Sequence, residues 1–178
     1  MRSEGLALAT AIGLVGLCLL ATWHDLKDRR IPNAIPLAGA VLGLGLRVPA
    51  GGEAVLQGLL GVGLGLGVGV LLFALGALGG GDGKFLMAVG AFLGPVHLGW
   101  AMLVMAVVGG GLALLYAAKE RVLLPALWNT GRMLKYLLTF GRAGELRPLA
   151  MPPAGRVPYA AAIASGAIIW WFWGRQLV

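Results

Sequence analysis

The chain has 178 residues, of which 59% are hydrophobic and 12% charged, with a formal net charge of +7 and a mean hydropathy of +0.88. A soluble domain carries roughly 25% charged residues, and a fold this small has no interior able to hide so much apolar side chain, so a cytosolic globular protein is excluded. The apolar blocks show no two-residue alternation, which argues against a transmembrane β-barrel; the expectation is an all-α, polytopic membrane helix bundle in one domain, 1–178, with the lipid bilayer as a partner.

In chain order, apolar segments run over about 6–22, 34–46, 54–78, 85–94, 96–118 and 157–173, which predicts about six transmembrane helices. The first could pass for a signal peptide, but further spans follow at once and no small-residue cleavage site is clear, so it is read as a helix of the mature protein. Cys18, the single cysteine, lies within it and permits neither an intrachain disulfide nor a cysteine zinc site. The third segment carries Gly61, Gly65 and Gly69, with Gly63 and Gly67 between them. The first set forms one smooth helix face, which predicts close packing against another helix. Gly94-Pro95 breaks the run 85–118 into two helices joined by a tight turn. Pro125 to Phe140 mixes Leu, Trp, Tyr and Phe with Arg132 and Lys135 and reads as an amphipathic interfacial helix or a solvated loop. Residues 141–156 read as a Gly/Pro/Arg-rich linker.

Charge orients these segments. With loops 23–33, 79–84 and 119–156 in the cytoplasm, Lys27, Arg29, Arg30, Lys84, Lys119, Arg121, Arg132, Lys135, Arg142, Arg147 and Arg156 lie inside, eleven of the fourteen basic residues. Only Arg2, Arg47 and Arg175 fall on the other side. The positive-inside rule then predicts an inner (cytoplasmic) membrane protein with both termini outside. It also accounts for the net charge without a nucleic-acid partner. Trp170, Trp171 and Trp173 mark the outer end of the last segment as an aromatic belt would.

Two acids meet the membrane at the same depth in this arrangement. Asp25 stands in "WHDLKDRRIPN", residues 23–33, at the end of the first span, and Asp82 in "GGGDGK", residues 79–84, at the end of the third. Ionisable groups there are costly and are functional candidates by default. Two carboxylates close enough to share a proton cannot both ionise. One then activates water while the other supports a carbonyl oxygen, as in an aspartic protease. The plainer alternative is a pair of solvated loop ends balancing Lys27, Arg29, Arg30 and Lys84. Other motifs fail. Leu78 stands where a P-loop needs its first Gly and Phe85 follows Lys84, and no Ser lies in a G-x-S-x-G elbow. His24 and His97 fall on opposite sides, so no metal site is expected.

"DLKDRRIPN" followed by "GGGDGKFLMAVGAFLG" resembles the type IV prepilin peptidases, the membrane aspartic proteases with a G-x-G-D motif. "RVPYAAAIASGA", 156–167, looks like the last span of the short pilus-assembly branch. The resemblance implies catalytic roles for Asp25 and Asp82. It implies motif support from Gly79, Gly81, Lys84, Pro32 and Asn33, and no cofactor. Lys84 is open to two readings, a positive-inside charge or a group that tunes Asp82. Arg29 and Arg30 read as topology signals, though either could pair with an acid in the substrate. The implied activity is removal of leader peptides from prepilins and pseudopilins at the cytoplasmic face, with protein secretion or pilus assembly as its setting. The larger members carry a cysteine-bearing methyltransferase domain that this sequence lacks, so cleavage without methylation is expected. The alternatives are a small membrane transporter or a non-catalytic assembly subunit. Both acids lie at one edge, whereas an ion relay expects acids near mid-bilayer.

Overall fold

The computed structural model describes residues 2–119, 121, 123–125, 128, 131–132, 135, 139 and 159–174. Among the described residues the structure is helical with no strand. α1 spans Arg2–Asp28, α2 Ala34–Arg47, α3 Gly52–Ala74, α4 Gly80–Lys119 and α5 Tyr159–Phe172, and a 3-10 turn, Val48–Ala50, links α2 to α3. By length and composition α1 from Glu4, α3 and α4 can each cross a membrane, and α2 with its 3-10 turn and α5 are shorter apolar helices. The proposed interfacial helix at 125–140 and the linker at 141–156 lie largely or wholly outside the described residues.

Helix ends fall where local chemistry sets them, and two differ from the apolar boundaries. α1 runs past residue 22 to Asp28 and stops at Arg29, whose φ of 50° is left-handed. The Arg29 N–H donates to Asp25 O at 3.0 Å, an αL cap at a position that usually carries Gly. Asp25 is thus on the last turns of a helix rather than in a loop. α3 ends at a Schellman motif. Gly76 takes φ 71°, its N–H donates to Phe73 O at 2.9 Å, and the Ala77 N–H donates to Leu72 O at 2.8 Å. α4 then starts at Gly80, so Asp82 and Lys84 belong to its first turns rather than to the end of the preceding span.

The break at Gly94-Pro95 is present. Gly94 has φ 76° and ψ 174° inside α4. A Cβ placed on Gly90 would lie 3.1 Å from Leu98 Cδ2, so the chain folds back and the stretches on either side of Gly94-Pro95, 80–93 and 95–109, meet. Pro95 has no N–H for Ala91 O, and the turn removes the helical partner of Phe92 O. Arg47 replaces both donors. Its Nε donates to Ala91 O at 2.8 Å and its Nη2 to Phe92 O at 2.7 Å, while Nη1 reaches Ala54 O at 3.0 Å.

Met1–Gly109 with Pro158–Val178 forms one compact unit and Gly110–Val157 a second. In the first unit, the arm 80–93 is central. Phe85, Leu86, Ala88, Val89, Ala91 and Phe92 are all buried, among Leu14, Leu17 and Cys18 of α1 and Ala160, Ile163 and Ala167 of α5. Being enclosed on every side explains why 85–94 is apolar throughout and shows no amphipathic period. The glycine face of α3 packs on this arm. Cβ atoms at Gly61, Gly65 and Gly69 would run into Gly90 O, Leu86 O and Gly83 Cα, whereas Gly63 and Gly67 have nothing within 4 Å. Large apolar side chains instead point outward, such as Ile12, Leu19, Val41, Val70 and Leu103. Small residues inside and large ones outside is the arrangement lipid favours. Trp170 departs from the expected belt. It is buried, donates Nε1–H to His97 Nδ1 at 3.1 Å and stacks on Trp100 with ring centroids 5.6 Å apart; Trp173 is exposed. The second unit carries the last helical turns of α4, a left-handed Arg121 whose N–H donates to Ala118 O at 3.1 Å, and exposed Leu124 and Trp128.

Candidate active site

Asp82 is the third residue of α4, and its own helix explains its place. Gly79 precedes the helix, and its N–H donates to Asp82 Oδ2 at 3.1 Å. This is the half of a capping box in which an acid at the third position reaches back to the free N–H at the helix start. The helix macrodipole also favours an anion there. A Cβ on Gly79 would sit 2.9 Å from Asp82 Oδ2, so a side chain at 79 would press on the bonded carboxylate. Asp82 is only 9% exposed.

Asp25 is held by a different helix. Its Oδ2 accepts the N–H of Ala160 at 3.2 Å, across 135 residues of chain. Ala160 is the second residue of α5, where backbone N–H groups have no helical acceptor. Tyr159, half-buried and one residue earlier, lies within electrostatic reach of Asp82. The start of α5 thus donates directly to Asp25. Asp28 shares the α1 terminus but is exposed.

The remaining motif residues join the two acidic segments. Lys84 Nζ donates to Asn33 Oδ1 at 2.8 Å. Asn33 precedes α2 but makes no side-chain cap to it, because its amide oxygen serves Lys84. Neither reading of Lys84 from sequence included this clasp. Gly81 lies against the α1–α2 loop, where a Cβ would be 3.4 Å from Ile31 Cβ and 3.5 Å from Ile31 N. Pro32 O accepts the Ile35 N–H at 3.0 Å and Asn33 O the Leu37 N–H at 3.2 Å, which starts α2. The loop 29–33 and the first turn of α4 thus form one packed corner. His24 Nδ1 pairs with Leu20 O of its own helix at 2.9 Å. Among the described residues no three His, Cys, Asp or Glu side chains gather as a metal-binding group.

Sequence reading missed Tyr159 and Ala160. Pro158 signals a helix start just before them, but a backbone N–H has no sequence signature of its own.

Comparison with known proteins places these motifs in a lineage. The chain is 38% identical over 91 residues to a preflagellin peptidase from Methanococcus voltae. The match covers 48% of this chain and 38% of that relative, so the chain spans well under two thirds of the relative's length. No solved structure matches. The profile of the type IV leader peptidase family matches residues 12–116, a stretch that takes in Asp25, the Lys84–Asn33 clasp and the capped Asp82, and by that match the chain belongs to the type IV leader peptidase family.

Proposed function

We propose that this protein is a membrane aspartic endopeptidase that removes leader peptides from prepilin-like, pseudopilin or preflagellin precursors. The observation that carries the reading is that two carboxylates, Asp25 and Asp82, from different helices are both engaged by helix-starting N–H groups. Family membership and the preflagellin peptidase relative support the substrate class. The split of basic residues supports an active site at the cytoplasmic face of the inner membrane with both termini outside, in one peptidase domain over 1–178 with 119–156 as a cytoplasmic loop.

The chemistry follows from a shared proton. In this reading the two acids come together around the substrate, one ionised and the other protonated, because two carboxylates at close range do not both ionise. The ionised acid takes a proton from water as the water oxygen bonds to the scissile carbonyl carbon. The protonated acid gives its proton to the carbonyl oxygen. The resulting gem-diol collapses as one of its hydroxyls returns a proton to the acid that gave one, the C–N bond breaks, and the leaving nitrogen takes a proton from the acid that received one from water. Water is added across one peptide bond, and the dyad returns to its starting protonation. Gly79, Gly81, Lys84, Pro32 and Asn33 support the acids by holding the two segments together.

Co-expression with tagged preflagellin and type IV prepilin precursors tests the reading on a gel. Wild type is expected to shorten at least one of them, and Asp25→Asn or Asp82→Asn to abolish the shift at equal protein levels. Normal shortening by either variant refutes the dyad.

A further inference from the structure

Asp25 meets α5 at its second residue, Ala160, which belongs to neither acidic motif. The Ala160 N–H lies 3.2 Å from Asp25 Oδ2, and Ala160 is fully buried. A hydrogen bond from a backbone amide to a carboxylate is charge-assisted, and it fixes the carboxylate's orientation as well as its charge. α5 also packs along α1 and buries Ile163 and Ala167 in the same core as Phe85 and Phe92 of α4. Its first turn is therefore braced against both acid-bearing helices.

We propose that the first turn of α5 is a positioning element for the dyad, in which the Ala160 N–H orients Asp25. This rests on the peptidase reading above. Ala160 acts through Asp25 and need not touch the substrate. Losing that bond lowers turnover, whereas substrate capture and the stability of the helix bundle stay close to wild type. Because orientation is at stake, the effect sits in kcat. A charge-assisted hydrogen bond corresponds to about tenfold or more in rate.

The experiment uses the full-length protein in membranes and whichever tagged preflagellin or prepilin precursor the wild type shortens. Replacing Ala160 by lactic acid turns its N–H into an ester oxygen and leaves the methyl group in place. The same replacement at Ala161 is the control, since it alters the next amide of the same helical turn. The expected result is a fall in kcat of about tenfold or more for the ester at 160, unchanged KM, and wild-type kcat for the ester at 161. Wild-type kcat in the ester at 160 overturns the proposal, as does an equal fall in both esters or a change confined to KM. Asp25→Asn and Asp82→Asn run alongside. If they cleave, the peptidase reading falls and this inference with it. If they are inactive while the ester at 160 is normal, only the inference falls.

Discussion

Alanine substitutions along α3 read out how tightly the helix that bears Asp82 is held. At Gly65 a Cβ would stand 2.6 Å from Leu86 O and 2.8 Å from Met87 Cα. Ordinary carbon contacts begin near 3.5 Å, so the arm 80–93 must retreat by about 1 Å. The obstruction is backbone, which has no rotamer to move aside. Overpacking of this kind costs about 2 kcal/mol, or about 4–8 °C in the unfolding midpoint for a chain of this length. Gly69→Ala meets Gly83 Cα at 2.6 Å, one residue from Asp82. A displacement of about 1 Å at a reacting group costs about a hundredfold in rate, so Gly69→Ala loses activity beyond its thermal loss, and more than Gly61→Ala at the far end of the arm. Gly63→Ala and Gly67→Ala are the controls, since nothing lies within 4 Å of either. The molecule carries its own probe: Cys18 is the sole cysteine and 1% exposed, so a thiol dye that fluoresces on reaction reports unfolding in detergent. Equal midpoints for Gly65→Ala and Gly63→Ala, or a lower midpoint for Gly63→Ala, would refute the packing argument.

Other outcomes follow from the same geometry. Asp28→Asn keeps most precursor cleavage while Asp25→Asn loses it, scored as the fraction shortened at matched expression; the reverse pattern moves the site to Asp28. Arg47→Met strips the donors from three carbonyls, each worth about 1–3 kcal/mol when left unpaired, and melts below every glycine variant. Arg47→Lys falls between, because an ammonium lacks the planar fork; a midpoint for Arg47→Met equal to wild type is the contrary result. Arg29→Gly relieves the left-handed cap and raises the midpoint by a few degrees, an effect of about 1 kcal/mol. With Cys18 changed to alanine, Ser3→Cys reacts with an impermeant thiol reagent on intact cells and Arg132→Cys does not; labelling at 132 reverses the orientation.

Much of this was legible in the chain because it is local. Gly94-Pro95 is a single break, and the Gly61, Gly65 and Gly69 face needs only the helical period. The ends of α1 and α4 were harder. Uniform apolarity removes the periodic signal, and polar letters such as Asp25 and Lys84 look like loop although they continue or begin helices. Lys84 was read by its charge, whereas the structure uses it as a hydrogen-bond donor to Asn33, 51 residues away. Arg47 and Ala160 were out of reach for a common reason: in both bonds one partner is backbone, and every residue offers the same backbone.

The three carbonyls held by Arg47 bear on how the protein is made. Ala91 and Phe92 lie 44 and 45 residues after Arg47, so α2 is made before they exist. Until then only Ala54 O, seven residues on, can accept from the guanidinium. The settling of that side chain on the turn is then a late step in assembly, and a chain halted before residue 91 would lack two of the three acceptors that the finished protein gives it.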